Sequence, residues 1–352
     1  MKVSVKNLVK RYGETTAVDD ISFVAEDGEF TTLLGPSGCG KTTTLRSIAG
    51  LERPDGGQIT IGDTVLSDPS KNIFIPTQER NVGFVFQNFN VWPHLTVFEN
   101  VAYPLRVRNY SEDEIEEKVM NVLKLTGLED FRDRPSTQLS GGQQARVNVC
   151  RAIVYEPDLL LFDEPLTGLD RNLRHQMRYE IKRIQSDVGI TTVYVTHSQP
   201  EAMTLADKII LMNPDGKIAQ QGTADDLYYK PDSKFVFDFF GGSVEIEGTV
   251  TNPEGIQTDI GLFSVDVSPF DAGSSAIIGF RPESVQIGKE GAVNNWKGEV
   301  EDINFLGSTY EFFISVGDVT IRARQPRSGD IQEGRTVNFH IVPDDIFTYR
   351  PY

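Results

Sequence analysis

Apolar residues follow two different periods along this chain, and the places where the period changes divide it into elements. Residues 3–11 and 21–24 read as antiparallel strands, 29–34 as a strand running into a glycine-rich loop, and 58–61 as one arm of a hairpin after Asp55-Gly56-Gly57. The segment 81–86 returns to strand. Ser111-Glu112-Asp113-Glu114 then caps a stretch in which Ile115, Val119, Val122 and Leu123 recur at helical spacing as far as Leu125. Leu159-Leu160-Leu161-Phe162 is apolar without alternation, as a strand buried on both faces of a parallel sheet should be. A long helix is expected at 171–186, a further strand at 191–196, and Pro214-Asp215-Gly216 turns the strand at 208–212 back into one at 217–221. After an aromatic helix end with Phe235, Phe237, Phe239 and Phe240, the Gly241-Gly242-Ser243 stretch marks a boundary. Beyond it, 263–267, 275–280, 310–315, 319–323 and 337–341 have strand length and no helical period, which predicts a small β barrel or sandwich. The expectation is an α/β domain at 1–240, with a helical subdomain at about 88–155, followed by an all-β domain at 243–352.

Composition narrows the class of function. The chain has 352 residues, 39% of them hydrophobic and 10% aromatic, ample for two folded cores. No apolar run reaches membrane-spanning length, and Met1-Lys2-Val3-Ser4-Val5-Lys6 lacks a signal-peptide core, so a cytoplasmic chain is expected. The net charge is −17, with 17 acids against 8 bases from residue 243 onward and 34 against 26 before it. Both parts would repel a phosphate backbone, which argues against a nucleic-acid ligand. The two cysteines fit a reducing compartment and lack metal-ligand spacing.

Chemistry enters at Gly35-Pro36-Ser37-Gly38-Cys39-Gly40-Lys41-Thr42, followed by Thr43 at the start of a helical pattern. This is the P-loop pattern between a strand and a helix: glycines let backbone N–H groups curl around phosphates, and the helix adds its positive end. Lys41 supplies a cation for the β- and γ-phosphates, and Thr42 a hydroxyl oxygen for Mg²⁺. Asp163-Glu164 closes the apolar strand, where a carboxylate faces the ligand crevice. Asp163 is expected to hold Mg²⁺, and Glu164 to act as general base on the attacking water. Leu139-Ser140-Gly141-Gly142-Gln143 opens a helix with Ser140 as N-cap, about a hundred residues past the P-loop; alone it reads as a flexible cap. Cys39, beside Lys41 and a helix N-terminus, is expected to ionise readily and to be shielded by ATP, whereas Cys150 reads as inert packing.

In this order these motifs resemble the ATPase subunit of an ATP-binding-cassette (ABC) transporter. The resemblance implies a P-loop nucleotide-binding domain with a helical subdomain, and Ser140, Gly141, Gly142 and Gln143 binding the γ-phosphate held by a second copy in a head-to-tail homodimer. It implies that Tyr12 stacks on adenine, that Gln87 reaches Mg²⁺ and the lytic water, that His197 hydrogen-bonds the γ-phosphate, and that Asp170 contacts the opposite subunit. Residues 243–352 resemble the OB-like (TOBE) domain of importers for sugars, polyamines, ferric iron and phosphonates, with Gly279-Phe280-Arg281-Pro282-Glu283 the best local match. The same resemblance implies ATP hydrolysis with Mg²⁺ at the cytoplasmic membrane face, transmembrane permease subunits as partners and, indirectly, an extracytoplasmic solute-binding protein. The alternative is a soluble ABC-type ATPase uncoupled from transport. The stretch from Asn88 to Leu95, between Gln87 and Thr96 and with Phe89 and Trp92, resembles the surface receiving the membrane subunit or reads as subdomain core. Two departures from the pattern are Ser198 in place of an aspartate and the Val147-Asn148-Val149-Cys150 run of the signature helix.

Overall fold

The computed structural model describes residues 1–87, 91–241, 244–251, 254–268, 270–289, 291, 293–326 and 331–351. They divide into two compact units, Met1–Lys230 and Pro231–Tyr352.

In the first unit the elements run β1 (Val3–Tyr12), β2 (Thr15–Ala25), β3 (Phe30–Leu34), α1 (Lys41–Ala49), β4 (Gly56–Ile61), β5 (Thr64–Asp68), β6 (Ile73–Phe74) and β7 (Val82–Val85). They continue with α2 (Val97–Val107), α3 (Glu112–Leu125), α4 (Gly141–Ile153), β8 (Leu159–Asp163), α5 (Arg171–Val188), β9 (Thr191–Thr196), α6 (Gln199–Leu205), β10 (Lys208–Met212), β11 (Ile218–Gly222) and α7 (Ala224–Tyr229). One sheet has the order β2-β1-β4-β5-β6 and is antiparallel; the other has the order β11-β10-β3-β9-β8-β7. In the second sheet β10, β3, β9, β8 and β7 are parallel and β11 closes the edge as a hairpin.

Every residue of β3, β8 and β9 is buried, the signature of a sheet covered on both faces. On one face Leu33, Leu161 and Val193 meet Val5 and Ile59 of the antiparallel sheet together with Leu45 and Ile48 of α1. On the other, Phe162 and Tyr194 pack with Met177, Ile181 and Ile184 of α5. Each such fully buried side chain contributes roughly 1.5–3 kcal/mol. Helices α2, α3 and α4 form their own layer around Val101, Leu105, Ile115, Val119, Leu123 and Val147. The capping boxes Thr96/Glu99 and Ser111/Glu114 start α2 and α3, the second where the sequence expects it. Cys150 is buried in this layer, its Sγ 3.1 Å from the Thr126 hydroxyl, and burial pushes the thiol up to about 12.

The second unit holds α8 (Lys234–Phe239), β12 (Val244–Thr251), β13 (Gly255–Thr258), β14 (Gly261–Phe263), β15 (Ser275–Phe280), β16 (Val285–Ile287), β17 (Asn295–Phe305), β18 (Tyr310–Val316), β19 (Val319–Gln325), β20 (Thr336–Ile341) and β21 (Ile346–Tyr349). Two five-stranded antiparallel sheets, β14-β13-β12-β15-β21 and β16-β20-β17-β18-β19, share one core that includes Phe263, Ile278, Phe280, Val300, Ile314 and Phe339. The aromatic helix α8, placed by sequence at the end of the first domain, packs in this unit. Phe237 lies 5.0 Å from the Phe347 ring, and the Arg281 guanidinium sits 4.2 Å above Phe237 while donating to the carbonyls of Phe237 and Gly241. Of the expected boundary stretch, Gly242 and Ser243 lie outside the described residues.

Candidate functional site

Parallel strands deliver their following residues to the same sheet edge. β3, β7, β8 and β9 end at Leu34, Val85, Asp163 and Thr196, so the loop 35–40, Gln87, Glu164 and His197 all emerge at the C-terminal end of the sheet. The loop 35–40 is closely wrapped. Gly40 has φ 93°, and a Cβ there would meet the Ala17 carbonyl oxygen at 2.2 Å, so only glycine fits without moving backbone. Gly40 is also the N-cap of α1 and gives the helix no side-chain cap, leaving the first-turn N–H groups to an outside acceptor. The Lys41 ammonium is folded into the loop, donating to the carbonyls of Gly35 at 2.8 Å and Pro36 at 2.7 Å.

Thr42 and Asp163 come together as their motifs predict: the Thr42 hydroxyl donates to Asp163 Oδ1 at 2.8 Å. Asp163 is only 4% exposed, and burial raises its carboxyl above the usual range, opposed by the Thr42 bond and by Arg46, whose Nη2 lies 3.8 Å from Oδ2. Arg46 carries no motif signal, although it stands four residues after Thr42 and therefore on the same face of α1. Glu164 has φ 45°, an uncommon conformation for a side-chain-bearing residue, and its N–H donates to the Val195 carbonyl at 3.1 Å. Its Oε2 lies 3.1 Å from His197 Nδ1 and accepts from the Thr167 hydroxyl at 3.2 Å. The two expected catalytic groups thus face one another, Glu164 the more enclosed and His197 the more open to solvent. Gln87 is exposed two residues past β7.

Tyr12 ends β1, 46% exposed, with the Lys10 ammonium 5.1 Å from its ring centre. It pairs with Thr15, two residues from the Ala17 carbonyl that abuts Gly40, which sets the exposed ring at the flank of the phosphate loop. Cys39 differs from expectation. It is 1% exposed, and desolvation raises its thiol pKa despite Lys41 Nζ at 3.6 Å, so burial prevails over the neighbouring cation.

Ser140, Gly141, Gly142 and Gln143 lie elsewhere, at the start of α4. Ser140 caps the helix, with Gln143 Oε1 accepting from the Ser140 N–H at 2.9 Å. Among the described residues no hydrogen bond joins 140–143 to the loop 35–42. Asp170 caps α5, its Oδ1 accepting from the N–H groups of Asn172 and Leu173 at 3.0 Å each. Trp92 is half-buried: its ring lies 4.5 Å from Tyr103 and 4.4 Å from the Arg151 guanidinium, and it lines an open groove of about 390 Å³ with Phe84, Phe86, Val107 and Tyr155. Phe89 is outside the described residues. Among the described residues no helix is long and apolar enough to cross a membrane.

A phosphate loop, a strand-end Asp-Glu pair and a facing histidine on a mostly parallel sheet define a P-loop nucleoside-triphosphate hydrolase core. Residues 18–167 match the ABC transporter family model and 278–348 the TOBE domain. The trehalose/maltose import ATP-binding protein of Thermococcus litoralis is 41% identical over 96% of this chain and 94% of its own. A spermidine/putrescine import ATP-binding protein of Clostridium acetobutylicum is 38% identical over 99% and 96%. An Fe(3+) ions import ATP-binding protein of Rhizobium etli is 41% identical over 94% and 95%. Among solved structures, a dimeric bacterial ABC transporter cassette superposes with TM-score 0.53 at 32% identity, over 63% of this chain and 98% of that one. The cbiO1 component of a Clostridium perfringens ABC transporter complex gives 0.59 at 29%, over 65% and 90%. The chain belongs to the ABC transporter family, as an ATP-binding subunit carrying a C-terminal TOBE domain.

Proposed function

We propose that this chain is the ATP-hydrolysing subunit of a solute importer, acting as a head-to-tail homodimer docked on separate permease subunits at the cytoplasmic face of the membrane. The observation that carries the reading is the convergence of Lys41, the Thr42–Asp163 bond and the Glu164–His197 pair at one sheet edge. The residues fit the family's metal: Thr42 and Asp163 place two oxygen donors side by side, the ligand type Mg²⁺ prefers, with Gln87 emerging at the same edge. Bound there, Mg²⁺ would neutralise developing charge on the phosphates. The chain's own groups do the rest. Backbone N–H groups of 38–43 and the Lys41 ammonium cradle the triphosphate, and Tyr12 stacks on adenine. Glu164 takes a proton as the water oxygen bonds the γ-phosphorus; the bond to the β–γ bridging oxygen breaks, releasing ADP and phosphate. His197, held at Glu164, hydrogen-bonds the transferring phosphoryl group.

Ser140, Gly141, Gly142 and Gln143 complete the site from a second copy, with Asp170 facing that copy; their separation from the loop 35–42 within one chain supports this. The groove at Phe86, Trp92 and Tyr103 accepts the permease, next to Gln87. The named relatives support import of a sugar, a polyamine or ferric iron, with phosphonate a further cargo of the group, delivered by an extracytoplasmic solute-binding protein. Reconstitution with the permease tests the coupling. Trp92→Ala should leave soluble ATPase activity intact and uncouple transport from it; unchanged transport contradicts the docking assignment.

A further inference from the structure

Behind the sheet edge lies a set of buried side chains that this chemistry leaves unused. Glu201, in the first turn of α6, is 5% exposed, and its Oε2 accepts from the Tyr194 hydroxyl at 2.9 Å and from the Thr196 hydroxyl at 2.8 Å. Both donors belong to β9 and are buried. A carboxylate is unfavourable in such a place unless hydrogen bonds replace its water, and here two short ones do. The Thr196 hydroxyl is engaged twice: it donates to Glu201 and accepts from the Ser198 N–H at 3.0 Å. Residues on both sides of His197 are therefore fixed through one hydroxyl, and that hydroxyl is fixed by Glu201. Tyr194 keeps the carboxylate from rotating away, its ring held between Phe30 and Phe162 at 5.6 Å each. From α5, Arg178 steadies the same turn by donating to the Pro200 carbonyl at 3.0 Å. One residue upstream of Thr196, the Val195 carbonyl accepts the N–H of Glu164, so the two catalytic groups hang from adjacent points of one braced strand end.

We propose that Glu201 is a positioning residue for ATP hydrolysis, acting through Thr196 to hold His197 where its ring meets Glu164. The proposal rests on the reading of Glu164 and His197 as parts of the hydrolytic site. Glu201 is buried, and its Oε2 is engaged by the hydroxyls of Tyr194 and Thr196. Its effect is geometric: a shift of about 1 Å in a catalytic group costs up to roughly a hundredfold in rate.

The test is a double-mutant cycle on the full chain, with steady-state turnover, single-turnover hydrolysis of labelled ATP and nucleotide affinity measured for each variant. Thr196→Val keeps shape and removes the hydroxyl; it should lower kcat about tenfold while KM and ATP affinity change by less than about twofold. Thr196→Ser, which restores the hydroxyl, should recover most of the rate. Glu201→Gln, which keeps an acceptor without the charge, should fall between. In a His197→Ala background, followed by single turnover, Thr196→Val should add no more than about twofold, because the group it positions is gone. Wild-type kcat in Thr196→Val, or the same tenfold loss with and without His197, would overturn the proposal. A wild type that hydrolyses no ATP, or a fully active His197→Ala, would instead overturn the reading of the site itself together with the proposal.

Discussion

Two glycine-bearing helix starts, the phosphate loop at 35–42 and the signature loop at 140–143, look alike in sequence and differ in how far each is finished within the chain. The phosphate loop is closed from inside. Its glycine at position 40 has no room for a Cβ, its lysine is turned into the loop, and its helix lacks a side-chain cap. The signature helix has its own cap and box from Ser140 and Gln143, and a Cβ on Gly142 would meet only the flexible end of Leu173, at 2.6 Å. The first loop is wrapped and held by contacts within its own chain. The second is a helix start with its own cap, and among the described residues no hydrogen bond joins it to the loop 35–42. That difference is what the proposed completion of the site by a second copy rests on.

The largest effect should come from the finished half. Glu164→Gln should lower turnover by about a hundredfold or more while ATP still binds, since it removes the base and spares the cradle; comparable losses of binding and turnover would relocate Glu164 to a binding role. Next, Gly40→Ala should destabilise the fold by on the order of 1–3 kcal/mol and abolish nucleotide binding, read by chemical denaturation and a fluorescent nucleotide. Ser140→Ala should cost about 1 kcal/mol through the lost N-cap, leave monomer ATP affinity intact and weaken ATP-driven association. Equal loss of ATP affinity in both loop variants would erase the contrast between them.

The smallest effect concerns pH. Burial raises the Asp163 pKa, so the ionised carboxylate is a burden on the nucleotide-free fold at neutral pH. The stability associated with its protonated form is fully present below the unfolded carboxylate range and is lost as pH rises through the raised value. Asp163→Asn should therefore raise the Tm of nucleotide-free protein at pH 7, with the gap closing in acid; an unchanged or lower Tm at pH 7 contradicts this.

The sequence made the sheet edge legible because its chemistry sits in contiguous motifs at strand ends, where periodicity and glycine placement speak together: the P-loop, Asp163-Glu164 and the caps at Ser111 and Ser140 could all be read locally. What it hid was long-range and buried. Tyr194, Thr196 and Glu201 carry no periodic signal of their joint hydrogen bonding, because a threonine or tyrosine in a buried strand looks like ordinary β propensity. Cys39 misled for the opposite reason: the adjacent lysine is visible in sequence, whereas the closure of the loop over the thiol is not. The helix Lys234–Phe239 precedes the glycines that suggested a boundary, yet the partners of Phe237, namely Arg281, Phe347 and Tyr349, lie tens of residues downstream.

Two copies are proposed to close on ATP through the signature loop at 140–143. Size-exclusion chromatography with light scattering on Glu164→Gln, with and without Mg·ATP, tests it most directly. The account predicts an ATP-dependent shift from one copy to two, or from a loose pair to a more compact one, which Ser140→Ala weakens. Saturating ATP binding with no change in mass or elution would contradict it.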